Sequence, residues 1–140
     1  SYELLESLVS DFDTSLTATG IRFVTLSGDC ALVCSERSSI KWFVKGKAFP
    51  FFLRADGTVS NDSIAVQFYE GDALPDSFSL VPPYAWLDNY RRNKNVEVRE
   101  LSIPIPYYNQ VLSFIYADSE DEYYEDEYVQ ELDGYLKFKK

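Results

Sequence analysis

Two thiols, Cys30 and Cys34, stand four residues apart in the run CALVCSE. On an extended strand that spacing puts them on one side but roughly 13 Å apart. A disulfide needs Cα atoms within about 7 Å, so the pair is not expected to bridge. A zinc site built on them would need further thiol or imidazole ligands, and the chain has two cysteines and no histidine. The expected role is two small apolar side chains in a core. The missing histidine also removes Ser-His and Cys-His catalysis and imidazole acid–base work. Neither a Gly-rich phosphate loop nor a G-x-S-x-G elbow occurs. No catalytic residue, metal ligand or cofactor is assigned to this chain, and it is not expected to be an enzyme.

Lys41, Lys45 and Lys47 lie beside Trp42, Phe43, Phe49, Phe51 and Phe52. Bases stack on such aromatics in single-strand grooves. Lysines also guard the edges of sheets whose aromatics pack inward, and Trp42 alternates in phase with Ile40 and Val44. The three lysines are candidates for an interaction surface toward an acidic partner, including the chain's own acidic tail. Glu100, next to Arg99, reads as half of an ion pair or as a pocket rim. The tail's carboxylates form no Asp-x-Asp-x-Asp-Gly calcium loop and read as a solvated face.

The net charge of −10 opposes binding to nucleic acid or anionic membrane. No apolar run reaches the roughly 18–20 residues of a membrane span, and no signal peptide is visible. Two cysteines in that context suit a reducing cytoplasm. The chain begins with Ser and contains no Met, which suggests a piece of a longer protein.

These residues must be positioned by short elements. Residues 3–12 place Leu4, Leu5, Leu8, Val9 and Phe12 on a helical face. A polar turn follows, in which Thr14 or Ser15 could cap a second helix carrying Leu16, Gly20, Phe23 and Leu26. Gly20 weakens that helix. A helix-turn-helix-like pair over 1–28 results, but with five acids against Arg22 in residues 1–29 it suits docking better than DNA reading. From Cys30 the pattern becomes extended: a hairpin through RSS, then a third piece over FPFFLR. SNDSIAVQFYEG reads as a short helix capped by Ser60 or Asn61 and ended by Gly71. VPPYAWLDNYRRNKN reads as loop. VEVRELSIPIP and QVLSFIYAD read as two strands. The first has a phase slip between Val98 and Leu101 that suggests a bulge, and Pro104 and Pro106 limit its pairing. The acidic tail 118–140 reads as a helix bearing Tyr124, Tyr128, Leu132 and Tyr135, or as partly disordered. The expected fold class is α+β: an antiparallel sheet of about five strands with short covering helices, over 29–117.

The serial order of these segments resembles the region that follows the peptidase core in ImmA/IrrE-family zinc metalloendopeptidases. Phe12, Ser15, Ala18 and Arg22 match the first block, with Asp13-Thr14 where the family carries an apolar residue. The hairpin and its Phe49-Pro50 extension are similar to the next. An Ala85-Trp86 element, an E-x-S at Glu100 and Ser102, and a Y-G-x-x-L-S strand follow in the family's order, with Asn109 in place of its Gly. The resemblance spans about residues 4–117. It implies a GAF/PAS-like sensor or regulatory domain. Its partners would be the zincin domain of the same parent chain, which carries H-E-x-x-H, or the repressor that this peptidase cleaves in bacteria. None of the zinc ligands can be carried onto this histidine-free chain. A GAF/PAS-like sheet often holds a small molecule against its helices. Trp42, Phe49, Phe52, Trp86 and Glu100 are the candidates to line such a pocket, for a ligand of unknown identity. The alternative is a free-standing acidic module, inhibitor or adaptor, favoured by the tyrosine-rich tail.

Overall fold

The computed structural model describes residues 16–54, 57–88 and 95–119. Helix α1 (Leu16–Ser27) leads into a hairpin of β1 (Cys30–Glu36) and β2 (Ser39–Lys45). A long crossover follows. It holds β3 (Phe52–Leu53), the short helix α2 (Ala65–Tyr69), β4 (Ser79–Val81), a 3-10 turn at Pro83–Ala85 and β5 (Leu87–Asp88). The chain then forms β6 (Val96–Ile105) and β7 (Gln110–Ser119). Five strands make one antiparallel sheet in the order β2-β1-β7-β6-β4, and β3 pairs with β5 apart from it. The α+β class and the five-stranded antiparallel sheet expected from the sequence are present. The first helix of the expected pair, its Thr14 or Ser15 cap, and the tail beyond Ser119 lie outside the described residues.

β1 and β7 are central and buried on both faces, which is why CALVC reads as an unbroken apolar run and VLSFIYA as one interrupted only by Ser113. One face, with Cys30, Leu32, Cys34, Leu112, Phe114 and Tyr116, is covered by α1 through Leu16, Phe23 and Val24. The other, with Ala31, Val33, Val98, Val111 and Ile115, is covered by the crossover through Phe49, Phe51, Leu53, Ala65, Val66, Trp86 and Leu87. Leu26, expected on the apolar face of α1, is 72% exposed, and Val24 fills the place instead.

Gly20, which weakens α1 by propensity, is its closest point to the sheet. A Cβ there would sit 2.9 Å from the Phe114 ring and 3.1 Å from a Leu32 methyl. Gly46, just after β2, is tighter still: a Cβ would meet the Gly28 backbone at 2.4 Å. The Gly46 N–H donates to Cys30 O, and the Ala48 N–H to Gly28 O. These contacts fasten the end of α1 to the exit from the hairpin.

The two strand irregularities differ from the expected ones. β6 and β7 pair without a break from Val96 opposite Ser119 to Ile105 opposite Gln110, so the expected bulge near Leu101 is absent. Val98 and Leu101 face opposite sides of the sheet. The register shift lies instead between Cys34 and Ser35, where Lys41 of β2 has no opposite number. It turns Ile40 toward the crossover face, while Trp42 and Val44 stay on the α1 face. Ile40 and Trp42 therefore do not share a side. The hairpin closes on Arg37 and Ser38, both with positive φ (51° and 73°), between the paired residues Glu36 and Ser39. That is a two-residue turn of the I′ kind, matched to strand twist. At the other hairpin Asn109 takes φ 55°, a left-handed conformation that asparagine tolerates. Pro104 pairs only with Val111 of β7, because β4 covers β6 only from Val98 to Glu100.

Candidate functional site

β6 directs Val96, Val98, Glu100 and Ser102 to the crossover face. Two apolar residues are followed by two polar ones, and from Val98 onward that surface is sealed from water. Glu100 is fully buried, and Ser102 and Ser113 nearly so. A carboxylate there must find donors or lose its charge, and Glu100 finds four. Its Oε1 accepts from the Ile64 N–H at 2.9 Å and from the Trp86 Nε1–H at 2.7 Å. Its Oε2 accepts from the Ala65 N–H at 2.8 Å and from the Ser102 hydroxyl. The Ser102 hydroxyl in turn meets the Ser113 hydroxyl at 2.6 Å, directly opposite on β7.

A carboxylate's two oxygens offer about four acceptor sites, and here four donors take them. Burial pushes the Glu100 carboxyl above its ordinary value, opposed in turn by Ser102, Trp86, Ile64 and Ala65. Three of the donors are N–H groups that can only donate, but the Ser102 hydroxyl can also accept, so a proton on Oε2 can be given to Ser102, which then donates to Ser113. The network accommodates the carboxylate and the carboxylic acid alike, and burial favours the acid.

The carboxylate caps α2 from across the molecule. Ile64, at the N-cap, makes no side-chain cap bond. Of the expected caps, Ser60 uses its hydroxyl to accept from the Asp62 N–H. Ser63 instead accepts from the Val66 N–H at 3.2 Å. The orphan N–H groups of Ile64 and Ala65 go to Glu100. Trp86 follows the 3-10 turn, whose Tyr84 hydroxyl donates to Asp62. The Trp86 carbonyl accepts from the Arg54 N–H at 2.7 Å. One side chain from the sheet thus holds the crossover at α2 and at Trp86, and Trp86 holds the segment leaving β3.

The other candidate residues are dispersed. Phe49 is buried in the same core as Trp86. Phe52 is 65% exposed, its ring 5.0 Å below the Lys45 amine, so it lines no interior space. Trp42 is half-buried on the α1 face of the sheet. Of the five pocket candidates, only Trp86 and Glu100 touch through a hydrogen bond. The ion pair expected between Arg99 and Glu100 does not form: Arg99 pairs with Glu97 at 2.9 Å, and Glu100 points to the other side. Lys41 and Lys47 are exposed, and Lys45 donates to Phe51 O at 3.1 Å.

Cys30 and Cys34 are free and buried on the α1 face. Burial pushes the Cys30 thiol to about 12 and the Cys34 thiol to about 11. At neutral pH neither is a nucleophile. Among the described residues no three His, Cys, Asp or Glu side chains are grouped to hold a metal ion, and no helix is long and apolar enough to cross a membrane.

Ser102 and Ser113 entered the sequence reading only through the resemblance and were not named as site residues, although one signal was present. The apolar phase of β6 breaks at Glu100 and Ser102, and a phase break marks either a bulge or a polar group placed inward. Comparison of the chain with family models, curated proteins and solved structures finds no match.

Proposed function

We propose that this chain is a non-catalytic regulatory or sensor domain of an ImmA/IrrE-like metallopeptidase. One observation carries the reading. Four of the residues on which that resemblance rests are scattered along the sequence: Trp86 of the Ala-Trp element, Glu100 and Ser102 of E-x-S, and Ser113 of the L-S strand. All four meet in one buried hydrogen-bonded network. The architecture gives a second support. A hairpin, a crossover closed over one face, and a second hairpin whose last strand lies beside the first strand suit a GAF/PAS-like domain.

In this reading the regulated element is the crossover. Apart from β4 and Phe78, the core residues of the described chain between β2 and β6 lean on one face of the sheet, and Glu100, with the Ser35–Tyr69 hydroxyl pair, ties the two together. A ligand or a neighbouring domain that competes for the Trp86 indole or the α2 N–H groups would loosen the crossover, and a bistable element of that kind is what transmits regulation. The zinc, the H-E-x-x-H helix and the cleavage of a repressor would belong to the parent's peptidase domain. The cellular setting would be the bacterial cytoplasm.

The test begins with the coding sequence upstream, where an in-frame H-E-x-x-H is expected. In the resulting longer protein, Glu100→Gln should alter the control of repressor cleavage and leave zinc content unchanged. Absence of that motif upstream, or cleavage indifferent to Glu100, would defeat the proposal. The alternative, a free-standing interaction module, draws on the exposed lysines and aromatics around β2. A start codon just before Tyr2 would favour it.

A further inference from the structure

Helix α2 has five residues, Ala65–Tyr69. A helix that short does not persist by itself, because nucleation is unfavourable and its few hydrogen bonds do not offset it. Its apolar anchors are small. Ala65 and Val66 are buried, whereas Phe68 and Tyr69 are only half-buried. Polar fastenings act at both of its ends. At the first turn the Ile64 and Ala65 N–H groups donate to the two oxygens of Glu100 on β6. At the last, the Tyr69 hydroxyl meets the Ser35 hydroxyl of β1 at 2.8 Å. Ser35 is itself buried, at the place where the β1–β2 register shifts.

The chain on either side of α2 is lightly held. Gly71, with φ 91°, follows it. Residues 71–77 then form neither helix nor strand, and all but Leu74 are exposed. Before α2, the Ser63 N–H and hydroxyl both donate to Ser60 O, closing a turn. The fixed points lie further out: Val59, whose N–H donates to Ser38 O, and β4, which pairs with β6. Between them α2 packs against β6 and β7. It closes over Glu100, whose carboxylate leads to the Ser102 and Ser113 hydroxyls.

We infer that residues 60–72 form a lid that opens as one body, latched at one end by Glu100 and at the other by Ser35, so that releasing either latch loosens the other. Length is the physical reason. Ala65 and Tyr69 are four residues apart, about 6 Å along a helix axis, too short for one end to melt while the other stays in place. Units with sparse buried apolar contact are the ones that open below global unfolding. The open lid exposes the Glu100 carboxyl and its two serine partners, polar groups that the closed fold keeps dry. The inference concerns the fold alone and stands apart from the family reading.

Native-state amide hydrogen exchange of the intact chain, at a series of low denaturant concentrations, tests it. The Ile64, Ala65, Gln67 and Glu70 amides are expected to share one opening, with a smaller denaturant slope than the β1 and β7 amides. Tyr69→Phe and, separately, Ser35→Ala each break the far latch. Each should speed exchange at Ile64 and Ala65 by the same factor as at Glu70, at least about twofold for one lost hydrogen bond. Glu100→Gln should act in reverse and speed exchange at Glu70. Acceleration at Glu70 with Ile64 and Ala65 unchanged, in both far-latch variants, would show two independent fastenings and overturn the proposal. So would α2 amides that exchange only with global unfolding, at the denaturant slope of β7.

Discussion

Trp86→Phe tests the crossover tie most directly. The indole is fully buried, and its N–H donates to Glu100 at 2.7 Å. Phenylalanine keeps an aromatic ring there but removes the donor. A hydrogen bond to an ionised acceptor contributes about 1.5–3 kcal/mol. The smaller ring also leaves a void of about 40 Å3, which at about 24 cal/mol per Å3 adds about 1 kcal/mol. The expected loss is therefore about 2.5–4 kcal/mol where Glu100 is ionised, a large share of the 5–15 kcal/mol typical of a domain. Urea unfolding followed by circular dichroism should show a lower midpoint at unchanged slope. The penalty should shrink toward acid pH, where Glu100 is protonated and the lost bond is one between neutral groups. A double-mutant cycle with Glu100→Gln isolates the pair, and a coupling of about 1–3 kcal/mol is expected for groups in direct contact. Penalties that add within about 0.5 kcal/mol would refute the reasoning, because the indole and the carboxylate would then act independently.

Glu100 should also shape stability against pH. Its folded carboxyl lies above the ordinary 4.5 because burial opposes the charge, so between those two values the folded state binds more protons than the unfolded. Glu100's contribution is then full below 4.5 and is lost as pH rises through the folded value; Glu100→Gln should remove that decline, seen in Tm measured across pH. Gly20→Ala should destabilise by about 1–3 kcal/mol through overpacking against Phe114, outweighing the roughly 1 kcal/mol gained in helix propensity; chemical denaturation reports the sign. Arg37→Asn/Ser38→Gly should stabilise by about 1 kcal/mol by relieving two non-glycine residues of positive φ, read as a higher thermal midpoint. Both thiols should ignore an aromatic disulfide reagent at pH 8 in the folded protein and react once it is unfolded in denaturant, because burial holds them near 12 and 11.

The sheet was legible where periodicity was uninterrupted. β1, β6 and β7, the RSS turn and the helix ended by Gly71 follow from apolar runs and turn residues. β4 did not show, since three residues of SLV within a polar stretch carry no period. β3 and β5, two residues each, pair only because the crossover brings them together. The register shift opposite Lys41 was hidden for a different reason. β1 is apolar on both faces, so nothing in its sequence says which residues share a side.

The site was half legible for a related reason. Glu100 and Trp86 stand out as a charged residue on a strand and one of two tryptophans. Their bond depends on a 3-10 turn and an α2 start that local sequence does not position. Ser102 and Ser113 are ordinary serines until the β6–β7 register sets them face to face. Of the other pocket candidates, β2 places Trp42 on the far face of the sheet and β3 leaves Phe52 outside the core.

The pairing of Cys30 with Tyr116 also bears on mechanics. The sheet's first and last strands are neighbours, and the chain enters one and leaves the other at the same end. Tension applied through those two points would act across the β1–β7 ladder. The rungs would open one after another, like a zip, and would not resist together in shear. A domain strung this way yields to a small pull from whatever is joined at its two ends. The two buried thiols, Cys30 at the first rung and Cys34 near the last, would be uncovered in that order.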